Sequence, residues 1–123
     1  VEMVSSVIAY IDEHGLEKAA VEIKNRNGEF IKGELYVFIM DADGTMFSHG
    51  VKNRLDGKNL LKLKTPDGVF FIREMTRIVK QRESGWVDYV WAHPISGKVV
   101  PKSTFVKGIF NNTMFVACGV YEE

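Results

Sequence analysis

Apolar residues recur along this chain with two different periods, and the change from one to the other divides it into elements. Val4, Val7, Ile8 and Ile11 lie at i, i+3, i+4 and i+7, and Leu16, Ala19, Ala20 and Ile23 repeat that spacing. Such steps stack side chains on one side of a helix, so the N-terminal stretch predicts an amphipathic helical region, kinked or broken near Gly15. Asn25-Arg26-Asn27-Gly28 predicts a turn. Residues 34–40 (ELYVFIM) form an apolar, β-rich run; Asp41-Ala42-Asp43-Gly44 follows, then a second short strand in TMFSHG, and together they predict a hairpin. Both alternating sets of the first run are apolar, Leu35, Val37 and Ile39 on one side and Tyr36, Phe38 and Met40 on the other. The run is therefore expected to be buried on both faces, and periodicity leaves open which set meets the helix.

Further on, residues 57–63 could hold a helical turn, and Thr65-Pro66-Asp67-Gly68 resembles the start of a helix with proline early. Phe71, Met75 and Ile78 share one helical face, with Ile72 and Val79 beside them. Residues 85–91 (GWVDYVW), 99–110 and 114–121 predict three strands, with turns at His93–Gly97 and Asn111-Asn112. Pro101 suits an edge strand or the beginning of a strand. The order helix, strand, strand, helix, three strands, joined by short connections, predicts an α+β fold with an antiparallel sheet and helices on its faces.

Length and charge narrow the field. The 123 residues suit one domain over 1–123, and 46% hydrophobic content permits a sizeable core. Sixteen basic residues balance sixteen acidic ones, so nothing points to nucleic acid or anionic lipid, and specificity must come from a local site. The single cysteine, Cys118, excludes an intrachain disulfide and a cysteine-based zinc site; its apolar neighbours place it in the core. His14, His49 and His93 are too scattered to predict a metal site, and His14 and His93 read as surface residues. No run reaches the length of a membrane span, and no signal peptide is visible. A chain beginning at Val1 suggests an excised or processed domain, attached to a membrane only through segments outside this sequence.

Asp41-Ala42-Asp43-Gly44-Thr45 raises a chemical possibility. A strand ending in D-x-D-G-T is how the haloacid dehalogenase phosphotransferases present a nucleophilic aspartate and a general acid. That chemistry needs magnesium held by further carboxylates, and a lysine for the transition state. No later strand ends in an acidic pair; Asp88 is isolated, and Asp67 sits in a Pro-Asp-Gly turn. A magnesium-dependent phosphatase through Asp41 and Asp43 is thus a remote alternative to a plain turn. The loop is no EF-hand either, since Gly44 is its fourth residue and Lys52 its twelfth. No nucleophile is paired with a base: Ser48 and His49 are strand neighbours and point to opposite faces. No enzymatic activity and no cofactor are expected.

Read in order, LYVFIMDADGTMFSHG, LDGKNLLKLKTPDGVFFIREM, GWVDYVW, PKSTFV and FVACGVYEE resemble the single Cache domain of the second type. This is an extracytoplasmic sensor module of bacterial chemoreceptors, sensor kinases and stand-alone secreted proteins. The resemblance runs from the first helix to the closing GVY; D-x-D-G-T-x-x-x-H-G, G-K-N-L, G-W-V-D-Y-x-W and P-K-S-T are its most specific parts. It implies a PAS-like five-stranded antiparallel sheet, a long N-terminal helix on one face, and short helices and loops capping a ligand pocket on the other. It also implies a small organic acid as ligand, such as acetate, propionate, lactate or pyruvate. The expected place is the periplasmic or extracellular face of a bacterial inner membrane, feeding signal transduction or chemotaxis, with homodimerisation possible. The chain departs from the family at Met40 and Phe105, where tyrosine is common and would add a hydroxyl. A ligand-free dimerisation or interaction module, using the exposed side of the first helix, is the alternative.

A small carboxylate needs a cation or several donors and an apolar wall. Alternation places Val87, Tyr89 and Trp91 on one face of their strand, and Lys102, Thr104 and Val106 on one face of the next. Lys102 is the leading cation, against a plainer reading as a solvated strand-edge lysine. Trp91 and Tyr89 offer a wall with a polar tip, against ordinary core packing. His49 could donate to a carboxylate or simply bond nearby backbone. Thr104, Phe38, Met40 and Met75 complete the candidate set; for Phe38, Met40 and Met75 core packing is the plainer role, and Arg73 is a second cation better read as a solvated helix residue.

Overall fold

The structure, a computed structural model, describes residues 1–122. Two N-terminal helices, α1 (Glu2–His14) and α2 (Leu16–Glu22), precede a hairpin of β1 (Val37–Asp41) and β2 (Met46–His49). A 3-10 turn at Asn53–Leu55 and a loop lead to α3 (Phe71–Arg82), then β3 (Ser84–Ala92), β4 (Val99–Ile109) and β5 (Met114–Tyr121). The strands form one five-stranded antiparallel sheet in the order β2-β1-β5-β4-β3. This is the expected α+β, PAS-like arrangement.

Gly15 separates the first two helices at φ 93°, ψ 161°, a conformation suited to glycine; its N–H still closes α1 on the Ile11 carbonyl at 2.8 Å. The apolar stripe on either side of the break, Val4, Val7, Ile11, Ala19 and Ile23, packs on Val37, Ile39, Ile109, Val116 and Cys118. Burying each large aliphatic side chain here contributes about 1.5–3 kcal/mol. Tyr36, Phe38 and Met40 face the other way, into a second core with Phe71, Ile72, Met75 and Val79 around α3. The sheet is thus covered on both faces, which is why the first strand is apolar from Val37 to Met40.

Pro101 stands at the beginning of a strand rather than at an edge. β4 lies between β5 and β3, but Lys102 already pairs with Tyr121, the last residue of β5, and only Glu122 N–H meets the Pro101 carbonyl, at 2.9 Å. The missing proline donor therefore falls past the end of that ladder. The β4–β5 turn carries three successive left-handed residues, Phe110, Asn111 and Asn112, two of them the asparagines that tolerate this region best.

Three local expectations are corrected. Residues 57–63 contain no helix, and the 3-10 turn comes earlier. Asn59 is instead committed to the hairpin turn: its Nδ2 donates to the Asp43 carbonyl at 3.0 Å and to Thr45 Oγ1 at 3.2 Å, and its Oδ1 accepts from Leu61 N–H at 3.1 Å. Thr65–Gly68 is a turn, not the start of a helix: Thr65 Oγ1 accepts from Val69 N–H at 3.0 Å, Gly68 adopts φ 86°, and α3 begins only at Phe71. His93 is buried at 5% exposure: its Nδ1 accepts from the backbone N–H groups of Ile95 and Ser96, and its Nε2 lies 2.7 Å from Glu34.

The Asp41–Thr45 stretch is a turn closed on itself. Asp41 and Thr45 bond through backbone at 2.9 Å, Gly44 N–H meets the Asp41 carbonyl at 3.1 Å, and Asp43 Oδ1 accepts from Thr45 N–H at 3.3 Å. Gly44 is required at φ 93°, and Leu61 occupies the space a Cβ would need. Among the described residues no cluster of His, Cys, Asp or Glu could hold a metal ion.

Candidate functional site

Strand register assembles a small cavity on the α3 side of the sheet. Tyr89 of β3 pairs with Lys102 of β4, Lys102 pairs with Tyr121 of β5, and Phe38 of β1 pairs with His49 of β2. These strands supply Phe38, His49, Tyr89, Trp91 and Lys102, and Tyr36 comes from just before β1; Met46, Leu55, Leu60, Leu63, Phe71 and Ile72 close the cavity over them. Its interior is tight, with about 20 Å³ open to the centre of a water molecule. That is room for water or for a ligand of a few heavy atoms, well below the space of a drug-sized site.

Lys102 is the chemical centre. It is 3% exposed, and its Nζ donates to the Tyr36 hydroxyl at 2.8 Å. Four aromatic rings surround the ammonium, those of Tyr36, Tyr121, Tyr89 and Phe38, at 4.7, 4.9, 5.6 and 5.9 Å. Among the described residues no carboxylate pairs with it. Burial pushes its pKa down from 10.5 to about 7, and the nearby Lys52 adds to the fall. The solvated-edge reading of Lys102 does not hold.

Gly119, opposite Thr104 on β5, makes room for that side chain. A Cβ there would lie 2.4 Å from Lys102 Cε and 2.5 Å from Thr104 Oγ1. Reading the sequence alone passes over Gly119, although a glycine inside the apolar run FVACGVY is a recognisable sign of close approach. Tyr36 and Tyr121 were also missed as a functional pair; their hydroxyls bond at 2.6 Å, and Tyr36 carries the bond on to Lys102.

His49 bonds nearby backbone, one of the two roles open to it. Its Nδ1 accepts from the N–H groups of Val51 at 3.2 Å and Lys52 at 2.9 Å. A ring nitrogen used as acceptor carries no proton, so the neutral imidazole keeps its proton on Nε2. Burial, then the charges of Lys102, Lys52 and Lys24, push its pKa down to about 3, so the ring stays neutral. It stacks on Phe38, with ring centres 5.6 Å apart and planes at 7°.

The end of β2 is tied to the N-terminal helices. Ser48 Oγ donates to the Ala20 carbonyl at 2.7 Å. Lys24 Nζ, just beyond α2, donates to the His49 carbonyl at 2.9 Å, to Asn53 Oδ1 at 2.6 Å and to Asp56 Oδ2 at 2.7 Å. Asp56 Oδ1 in turn accepts from His49 N–H at 2.8 Å.

The other candidates take graded positions. Tyr89 lines the cavity, stacks on Phe71 at 4.6 Å and bonds Thr104 Oγ1 at 2.8 Å; Thr104 itself is fully buried beneath it and does not line the cavity. Trp91 lies at the outer end, tilted on Phe71 at 4.9 Å. Met40 and Met75 are fully buried in the surrounding core and do not line the cavity. Phe105 packs on Trp86 on the opposite face, at 5.3 Å, so its departure from the family tyrosine removes no group from the cavity. Arg73 stays outside, exposed, donating to the Leu61 carbonyl at 2.9 Å.

With this geometry in view, the comparisons with known proteins are consistent. The family model described as the Cache domain matches residues 5–123. The sensor histidine kinase MctS of Rhizobium johnstonii is 33% identical over 86 residues, 70% of this chain but 18% of that kinase. The chain spans less than a fifth of the curated relatives it matches. A solved periplasmic sensor domain of a chemotaxis protein aligns at TM-score 0.79 and 26% identity, covering 99% of this chain and 87% of that one. A Cache chemosensory domain studied for carboxylic acid recognition aligns at TM-score 0.83 and 24% identity, covering 99% and 88%, and shows the same fold. The chain belongs to the Cache domain family and is an extracytoplasmic, non-catalytic sensor domain.

Proposed function

We propose that this domain binds a small carboxylate in the cavity, with Lys102 as its anchor, and feeds occupancy to a signal-transduction or chemotaxis output. The observation that carries this reading is the ammonium of Lys102, buried among four rings with no anionic partner among the described residues. A buried unpaired charge costs several kcal/mol, and an arriving anion offsets that cost. His49 Nε2–H and the tyrosine hydroxyls supply neutral donors, while Phe71, Leu60 and Leu63 exclude water from the short apolar tail. The Cache domain studied for carboxylic acid recognition, alike in fold, supports the same ligand class.

A bound carboxylate stabilises the ammonium, so it raises the Lys102 pKa from about 7. Binding above pH 7 therefore takes up a proton, and affinity falls as pH rises further. Signalling requires that the ligand bind two arrangements of the domain unequally. The test is thermal unfolding with two- to four-carbon monocarboxylates. An acid at 100 times its Kd adds about 2.7 kcal/mol. If none of the panel raises the unfolding temperature, the carboxylate reading is wrong; concentration-dependent mass without any ligand response would favour an interaction module.

A further inference from the structure

Beyond the cavity lies an outer cleft lined by Lys52, Leu63, Lys64, Thr65, Pro66, Trp91, Ala92 and Val99. Leu63 and Trp91 line both spaces, so one leucine and one indole form the partition between them. On the outer side Lys52 places its ammonium over the Trp91 ring, 5.0 Å from its centre. Among the described residues Lys52 has no carboxylate partner. The inner side repeats the arrangement, with Lys102 over the Tyr89 ring. Tyr89 and Trp91 stand two residues apart on β3, a spacing of about 7 Å along the strand.

Resting on the carboxylate reading of the inner cavity, we propose that the two spaces form one two-ended site for a short dicarboxylate. One carboxylate lies on Lys102, the chain passes between Leu63 and Trp91, and Lys52 takes the second carboxylate. The charge pattern supports a dianion over a monoanion. The Lys102 ammonium feels Lys52 as a repelling neighbour. One anion answers only one of two like charges, whereas a dianion answers both. The partition is also suited to a connecting chain, because both of its side chains present apolar surface.

The experiment compares succinate with butyrate, two acids of equal carbon number, by calorimetric titration of the domain at pH 6.5. The expected result is succinate at least tenfold tighter than butyrate. Lys52→Gln removes that advantage and leaves butyrate unchanged, and Lys52→Arg retains it. Unfolding curves for each variant establish that it is folded. Equal affinities in the parent domain overturn the proposal, as does a Lys52→Gln variant that weakens both acids alike. If butyrate and the other monocarboxylates bind but succinate does not, only the two-ended site fails; if no acid binds, the Lys102 anchor fails with it.

Discussion

Replacing Lys102 with methionine should make the empty domain more stable and deaf to its ligand. The fall of the lysine pKa from 10.5 to about 7 measures how strongly the folded state resists this charge. At about 1.4 kcal/mol per pKa unit, it amounts to several kcal/mol at neutral pH. Methionine has similar length, keeps the apolar contacts and removes the charge. The loss is one hydrogen bond to Tyr36, worth about 1 kcal/mol, and the Tyr36 hydroxyl keeps its bond to Tyr121. The net expectation is a gain of about 2 kcal/mol at pH 7, or roughly 8 °C for a chain of this length. Between about pH 7 and 10.5 the unfolded chain holds a proton on Lys102 that the folded chain has released. Wild-type stability therefore rises with pH across that interval, and the variant's advantage is largest at the lower end and shrinks upward. Unfolding by circular dichroism from pH 6 to 9, with and without acid, measures both effects while the tyrosines stay protonated. A Lys102→Met domain less stable than wild type throughout that range, or one still stabilised by the acid, would refute the reasoning.

Other substitutions separate the neighbouring groups. In His49→Asn the side-chain oxygen can still accept from backbone two and three residues on, while the Nε2–H donor is lost. Calorimetry should show about tenfold weaker carboxylate binding, for about 1.5 kcal/mol or less of stability. Wild-type His49 stays neutral down to about pH 3, so the unfolded chain protonates first and stability falls as pH drops from 6.5 toward 3; acid unfolding of His49→Asn should be correspondingly flatter. Gly119→Ala pushes a methyl into Lys102 and Thr104 and should cost about 1–3 kcal/mol by urea unfolding. Adding Lys102→Ala to it should be less damaging than the sum of the two changes, because the smaller side chain vacates the contested space.

How far the sequence could be read depended on whether a feature was local. The apolar stripe from Val4 to Ile23 and its break at Gly15 follow from helical geometry, and both are present. Alternation put Lys102 and Tyr89 on faces that register then joined, but it sorts faces and not depth. Thr104, Met40 and Met75 share the right side of the structure yet sit behind the cavity wall. Tyr36 meets Lys102 across 66 residues, and His93 meets Glu34 across 59; no periodicity reports such pairs. The loop before α3 misled for a different reason. Its residues favour a helical turn, but the side chain of Asn59 is held by the Asp43–Thr45 turn, and Leu60 is buried in the core. The D-x-D-G-T pattern was likewise legible only in context: its aspartates shape a turn.

The break at Gly15 gives the N-terminal arm a joint. α2 is bolted to the cavity wall by Ser48 on Ala20 and by Lys24 on His49 and Asp56, while α1 rests its apolar stripe on the middle of the sheet. A displacement of the His49 corner would pass to α2 through these bonds. Gly15, with no Cβ to resist a change of dihedral, would absorb part of it before it reached α1. An alanine could not hold this dihedral without strain, so the angle between the two segments depends on one residue far from the cavity.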